Sequence, residues 1–485
     1  MKKLSELLPH LEVLGTQGKL DVTVSGISCD SRRVSRGHVF VAIPGTKQDG
    51  YDYAPAAVEA GAVAVVSQRA TGLTNAAHVQ VADARRALAR LAAAFHDFPE
   101  RRLHVIGVTG TNGKTTTTYL IRSILEAAGC KTGLIGTVSY AIGDARLPAE
   151  QTTPDAPTLH ALLARMRQAS VSHVVMEVSS HGLAQERVHG VRFRQAVFTN
   201  FSREHLDYHR TLEAYFAAKR KLFSGLRKQD VAILNRDDAH AGEIAEATDA
   251  QLVWYGRNAA AVACSGEVVE ATLQGTRFRL RLSGHRLEVR SHLVGRFHLH
   301  NVLAAAAAAW KLGVQPRQIE AGIASVTAVP GRLERLETGL PFEVFIDFAH
   351  TPKALQLALQ EMRRLTSGRV HLVFGCGGER DVGKRPLMGR VAGELADHVI
   401  LTSDNPRSEA PERILADIDA GVRDRKKRTL VPDRREAIAA ALARARPGDL
   451  VLIAGKGHET YQEIDGQRRS FDDRAVVQEV LASLA

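Results

Sequence analysis

No part of this chain limits its fold more than the stretch from Leu103 to Thr118. Leu103 to Val108 is an apolar run that predicts a buried strand. Leu120, Ile121, Ile124 and Leu125 then recur at helical spacing. Between strand and helix lie Gly110, Thr111, Asn112, Gly113, Lys114, Thr115 and Thr116. Glycines there let backbone N–H groups converge on an anion at a helix N-terminus. Lys114 adds a point charge, and the Thr115 hydroxyl is placed to reach Mg²⁺. The common form of this loop has a glycine five residues before Gly113. That position is Val108 and Gly107 is one place early, so the loop is a variant phosphate cradle.

A strand, a turn and a helix in this order belong to an α/β fold with a largely parallel sheet, and 485 residues predict about three domains of it. Residues 1–98 read as a small α/β domain, with strands over 21–28, 38–43 and 62–66 and helices over 53–60 and 83–96. A polar, proline-bearing junction at 98–102 closes it. Residues 99–332 read as the central domain around the cradle, with further strands over 172–178 and 196–199. Residues 264–294 alternate like the antiparallel strands of a smaller flanking sheet. Asn301 opens an alanine-rich helix that Gly313 closes, and Pro330-Gly331-Arg332 predicts a hinge. In residues 333–485, strands over 342–347, 370–374, 398–401 and 450–453 alternate with helices over 352–365, 387–395, 411–420 and 435–445. That pattern is a Rossmann-like, doubly wound domain.

Composition excludes several classes of protein. Cys29, Cys130, Cys264 and Cys376 share no metal-ligand spacing and form no disulfide framework. No apolar run approaches bilayer-spanning length, and Met1-Lys-Lys-Leu-Ser-Glu lacks the apolar core of a secretory signal. The expectation is a cytoplasmic chain without membrane insertion. The net charge of +11 is spread among acids, except for the run from Arg423 to Arg428, which reads as a solvated helix end or loop. Phosphorylated, polyanionic substrates suit that balance, and no nucleic-acid partner is expected.

Polar loops fall at predicted strand ends, where α/β proteins bind ligands. In the first domain these are Asp30-Ser31-Arg32 and the turn from Pro44 to Gly50. In the central domain they are Gln151-Thr152-Thr153-Pro154, Glu177-Val178-Ser179-Ser180-His181 and Asn200 to His209. The carboxylate of Glu177 is where a magnesium ligand belongs. The helix around Lys219 reads, on its residues alone, as giving its lysines to solvent. The third domain carries Asp347 to His350, Gly375 to Arg380, Ser403 to Arg407 and Ala454 to Glu459. The loop at Gly375 lacks the third glycine of a dinucleotide fingerprint.

Taken in order from Asp30 to Asp473, these motifs resemble the Mur ligases, the ATP-dependent amino-acid ligases of peptidoglycan synthesis. Asp404-Asn405-Pro406-Arg407 is similar to the signature of the branch that adds meso-2,6-diaminopimelate to UDP-N-acetylmuramoyl-L-alanyl-D-glutamate. The resemblance implies that Cys29, Ser31, Thr46, Lys47 and Gln48 hold the UDP-sugar end. Gln151, Thr152, Thr153, Ser179, Gln185 and Arg187 would hold the muramoyl dipeptide. The cradle from Gly110 to Thr116, with Asn301, Arg332 and Asp347, would hold ATP. Thr115, Glu177, His205 and a carbamylated Lys219 would hold Mg²⁺, with Lys114, Lys219 and His205 at the reacting groups. Arg380, Asp404, Asn405, Pro406, Arg407, Gly455 and Glu459 would hold diaminopimelate. It also implies a monomer. Thr46-Lys47-Gln48, Glu204 and Gln151 depart from the family's usual His-Gln-Ala, Asp and Asn.

The implied chemistry is attack of the D-glutamate γ-carboxylate on the ATP γ-phosphate, followed by addition of the amine to the resulting acyl phosphate. Such a reaction needs positioning and charge neutralisation and no covalent nucleophile on the enzyme. Arg407 suits the far carboxylate of diaminopimelate as a bidentate fork, and Glu459 suits the ammonium beside it. The alternatives are a lysine-adding ligase of the same family, a ligase that attaches glutamate to folate, and a nucleotide-dependent switch or nucleic-acid binder.

Overall fold

The computed structural model describes residues 1–45, 48–70, 72–73, 75–258 and 262–484. At its centre the strand His104–Thr109 lies between the parallel strands His173–Glu177 and Phe193–Phe198. These belong to an eleven-stranded sheet that runs on through Val231–Asn235 and Gln251–Gly256. The helix Lys114–Ala127 buries Leu120, Ile121, Ile124 and Leu125 against the sheet, as their spacing requires.

Two features of the central region differ from the sequence reading. The antiparallel strands Cys264–Thr272, Gly275–Leu282 and His285–Ser291 extend the main sheet and form no separate one, because Tyr255 and Gly256 pair with Cys264 and Ser265. Alternation marks a strand but not the sheet it joins. The alanine-rich helix spans His298–Trp310, so Asn301 sits one turn inside it. Ala304 to Ala309 are all buried there, and their small side chains admit close packing against the strands and the helix Lys114–Ala127.

The N-terminal sheet has the order Val13–Gln17, Ala77–Val81, Ala64–Ser67, His38–Val41, Gly26–Ser28. Its antiparallel edge strand Val13–Gln17 is mostly exposed and so carried no apolar alternation to be read. The helix Ala84–Phe95 starts where the Asp83 carboxylate accepts the backbone N–H groups of Arg85 and Arg86.

The C-terminal sheet runs Glu334–Leu336, Glu343–Asp347, Leu450–Ala454, Val370–Phe374, His398–Leu401, Arg428–Leu430, with the first strand antiparallel. Its helices are Pro352–Leu365, Lys384–Leu395, Pro411–Asp419 and Arg434–Arg444. The hairpin Tyr461–Ile464 with Gln467–Ser470 and the helix Asp473–Leu484 are additions to the sequence reading. Arg434 and Asp473 form a fully buried, doubly hydrogen-bonded ion pair at 2.8 Å, and Arg434 also donates to the Ala454 carbonyl at 3.0 Å. Breaking a fully buried pair would strand a charge in the interior, so the pair pins the last helix behind the loop that follows Ala454.

Candidate active site

The carboxyl ends of His104–Thr109, His173–Glu177, Phe193–Phe198 and Glu343–Asp347 bring their loops to one cleft. Gly113, at φ 86°, turns the cradle so closely past the long helix that a Cβ there would lie 2.3 Å from Asn301 Oδ1. Only glycine fits. Thr111 N–H donates to the Asn200 carbonyl at 2.8 Å and Asn112 N–H to Asn200 Oδ1 at 3.0 Å, so the neighbouring strand's loop braces the cradle.

Glu177 is buried and accepts three hydrogen bonds. It accepts from the Thr115 hydroxyl at 3.0 Å, the Thr137 hydroxyl at 2.9 Å and Thr137 N–H at 2.8 Å. Arg332 Nη2 reaches Thr115 Oγ1 at 3.1 Å from the far side of the hinge. Thr137 also meets Thr152 at 3.0 Å, and Thr153 joins Ser179 at 3.1 Å. Thr115, Glu177, Thr152, Thr153, Ser179 and Arg332 are therefore contiguous. Thr137 links them and carries no motif of its own.

Lys219 is 1% exposed, which corrects the reading of its helix face as solvated. Tyr215, Phe216, Leu222 and Phe223 bury the same helix, and the lysine lies inward with them. Lys114 Nζ and Lys219 Nζ both donate to the Gly110 carbonyl, at 2.9 and 2.8 Å. Burial lowers the Lys219 pKa far below that of a free lysine, and the nearby Lys114 lowers it further. His205, at φ 56°, is pushed down to about 3 by burial, with the Glu204 carboxylate opposing. Burial would raise Glu204, but His350 at 3.3 Å and His205 hold it well below the usual carboxylate range. The Glu204–His350 contact joins the central sheet to the C-terminal one, and Arg380 to Asp207 at 4.0 Å is a second such bridge.

At the hinge, Gly331 (φ 67°) lies so near the Gly457–His458 backbone that a Cβ would come within 2.5 Å of His458 N. Asp347 accepts from the N–H groups of Leu333 at 2.7 Å and Ala349 at 2.8 Å. Its carboxylate orders the backbone just after the hinge and just after its own strand, near Arg332, whose guanidinium lies 4.8 Å from the centre of the Phe348 ring.

A cavity of about 260 Å³ opens between the N-terminal and central sheets, lined by Cys29, Gln151, Gln185 and Arg187 among others. Arg187 donates to the Thr153 carbonyl at 2.7 Å, to Gln185 Oε1 at 2.7 and 3.1 Å, and to Gln151. Burial, with Asp155 and Asp30, pushes the Cys29 thiol up to about 11, so it lines the cavity as a neutral group. Ser31 begins a short 3₁₀ turn nearby and Gln48 is exposed; Thr46 and Lys47 lie outside the described residues.

In the C-terminal region Asp404 is buried so tightly against Gly455 that a Cβ there would meet its Oδ2 at 2.6 Å. Asn405 Nδ2 donates to Glu459 Oε2 at 2.8 Å, and the fully buried Lys456 bonds both residues at 3.2 Å. Pro406 leads into Arg407, which is held at φ 57° and donates from Nη1 to the Gly378 carbonyl at 2.7 Å. Arg380 shares the surroundings of Gly377 with Arg407 and extends toward Asp207. Reading the sequence missed Lys456, Thr137, Arg434 and the Glu204–His350 bridge. Lys456 alone had a local signal, between Gly455 and Gly457.

Three models of Mur ligase domains match the chain: the middle domain over 108–309, the glutamate ligase domain over 331–457 and the catalytic domain over 23–96. The chain belongs to the Mur ligase family. It is 46% identical over 462 residues to the UDP-N-acetylmuramoyl-L-alanyl-D-glutamate–2,6-diaminopimelate ligase of Solibacter usitatus, covering 94% of this chain and 93% of that one. It is also 46% identical over 481 residues to the protein of the same name from Geobacillus kaustophilus, covering 98% of each. A solved structure of a ligase of that name aligns over 100% of this chain and 99% of its own, with a TM-score of 0.69 at 34% identity. A Mycobacterium tuberculosis folylpolyglutamate synthase shares the fold over 81% of this chain and 93% of its own, with a TM-score of 0.62 at 19% identity.

Proposed function

We propose that this chain joins meso-2,6-diaminopimelate to the D-glutamate γ-carboxylate of UDP-N-acetylmuramoyl-L-alanyl-D-glutamate, converting ATP to ADP and phosphate, in peptidoglycan precursor synthesis. The observation that carries this reading is the Arg407 guanidinium, set beside the Asn405–Glu459 pair on the far side of the hinge from the cradle. An arginine fork there complements a carboxylate, and diaminopimelate has one at the end where lysine has none.

Residues 1–98, 99–332 and 333–485 divide the work in this reading. The cavity at Cys29, Gln151, Gln185 and Arg187 takes the UDP-muramoyl dipeptide. The cradle, with Asn301, Arg332 and Asp347, takes ATP. The loops at Asp404 and Gly455 take the amino acid. Lys114 and Arg332 stand where the carboxylate and the γ-phosphate, two anions, must meet. Thr115 Oγ1 and Glu177 Oε2, buried 3.0 Å apart, are the hard oxygen donors that suit Mg²⁺. When bound, Mg²⁺ supplies charge neutralisation at the phosphate oxygens. No three His, Cys, Asp or Glu side chains converge into a metal cage among the described residues, which fits an ion held partly by phosphate. Among the described residues no helix is long and apolar enough to cross a membrane. The reading places the chain in the cytoplasm as a monomer.

Two ammonium groups on the Gly110 carbonyl would repel, and the more deeply buried Lys219 gives up its proton first. Its neutral amine can then add to CO₂, forming a C–N bond and releasing a proton, and the resulting carbamate offers oxygen to a second hard cation near His205. Native mass spectrometry is expected to show the mass of one added CO₂, absent in Lys219→Ala and lost on acid denaturation. An unmodified mass in active enzyme rejects the carbamate.

The overall reading is tested by phosphate release from ATP and Mg²⁺ with the UDP-muramoyl dipeptide and either meso-diaminopimelate or L-lysine. Turnover with diaminopimelate alone is expected. Turnover with lysine alone would keep the ligase and reject the role of Arg407, while none with either would reject the reading.

A further inference from the structure

We propose that the cavity at the turn joining the strands Gly275–Leu282 and His285–Ser291 binds the phosphate group of a small molecule, outside the ligase site. The cavity has a volume of about 270 Å³, and Ser265, Arg281, Ser283 and Arg286 are among the residues that line it. Its lining includes no aspartate or glutamate. Four strands of the main sheet separate this hairpin from His104–Thr109, which at about 4.8 Å per strand spacing puts it roughly 24 Å from the cradle's own strand. None of its residues lines the cleft described above.

Strand register leaves the positive charge there unanswered. Ser265 pairs with Arg281 and Arg281 with Arg286, so the three side chains stand in one row on one face of the sheet. Two residues along that face the next row is Glu267, Arg279 and Glu288, where Arg279 meets the two acids at 2.8 and 3.0 Å. The row at the cavity has two guanidiniums and no acid. Like charges directly opposite on a sheet repel, and among the described residues neither guanidinium has an ion-pair or hydrogen-bond partner. The turn preserves this imbalance. Ser283 at φ 45° and Gly284 at φ 93° form a two-residue turn of the kind that commonly takes Asn-Gly or Asp-Gly, and serine supplies a hydroxyl in place of an aspartate that would cancel an arginine. Ser265, 3% exposed, adds a second hydroxyl from a buried position. Two guanidiniums and two hydroxyls, all able to donate, complement a group with several acceptor oxygens and more than one negative charge. That is the chemistry of phosphate.

The cradle also attracts phosphate, so the test first fills it with a non-hydrolysable ATP analogue and Mg²⁺. Equilibrium dialysis with labelled orthophosphate, and in parallel with glycerol 3-phosphate as a phosphomonoester, is expected to show saturable binding to the wild type. The double variant Arg281→Gln, Arg286→Gln is expected to lose roughly tenfold or more in affinity. Its kcat and its KM for ATP in phosphate-free buffer should match wild type, and its thermal transition should lie at or above that of wild type, because a like-charge contact has been removed. Arg290→Gln, which removes an exposed arginine farther along the same strand, is expected to bind as wild type does. The tighter of the two probes identifies whether the group arrives free or as an ester. A wild type without saturable binding, a double variant of unchanged affinity, an equal loss in Arg290→Gln, or equal displacement by acetate at the same ionic strength would each overturn the site. Failure of the ligase assay would reject the functional reading and leave this result standing.

Discussion

Replacing Lys114 by alanine is expected to lower kcat for phosphate release by about 10²- to 10³-fold, the range for removing one preorganised donor from a site of developing negative charge. The expectation follows from where its ammonium is held. It donates to the Gly110 and Thr111 carbonyls at 2.9 Å each, so it is fixed over the cradle before any nucleotide arrives. Burial lowers its pKa first, the Glu204 and Glu177 carboxylates oppose that shift, and Arg332 adds to it. In a poorly solvated cleft its charge is weakly screened. Because its partners are the cradle's own carbonyls, the thermal transition of Lys114→Ala should stay close to wild type. A variant with near-normal phosphate release would place charge neutralisation elsewhere, with Arg332 the next candidate.

The second large effect is expected at Arg407. Truncating one partner of a hydrogen-bonded charge pair costs about 2–5 kcal/mol, so Arg407→Ala should raise the KM for diaminopimelate by roughly 30-fold or more. The KM for ATP should stay near normal, because the contacts of Arg407 are with Gly378, Glu463 and Asp465, all within residues 333–485. Arg407 sits at φ 57°, a conformation costly for any residue with a Cβ, and alanine bears the same strain. Loss of the fork therefore dominates the comparison. Arg407→Lys separates charge from shape, since it keeps a cation without the bidentate geometry, and an intermediate KM is expected. An unchanged KM for diaminopimelate in Arg407→Ala would sink the assignment.

Local chemistry carried far in this chain. The apolar run before Gly110, the glycines of the cradle and the helical spacing of Leu120 to Leu125 need no distant partner to be read, because strand period, turn requirement and helix period are properties of neighbouring residues. The same holds for the alternation of strands and helices after Pro330. The folded chain places Pro352–Leu365 where that pattern put it. The loops at Asp404 and Gly455 could be named from short motifs, although no motif tells that Lys456 is buried between Asn405 and Glu459.

Asn301 shows where such reading stops. Its position within the helix depends on packing against the sheet, and its meeting with Gly113 spans a gap in sequence that no period records.

The sequence by itself determined the glycine-rich strand-to-helix turn at Gly110 to Gly113 and the α/β units in order. Tertiary structure alone decided that Lys219 is buried beside Lys114, that Thr137 bridges Glu177 to Thr152, and that Arg434 meets Asp473 behind the Ala454 loop. It also decided that Glu204 reaches His350 across the hinge. Each of these depends on desolvation or on a charge brought close by the fold, and both are set by atoms distant along the chain.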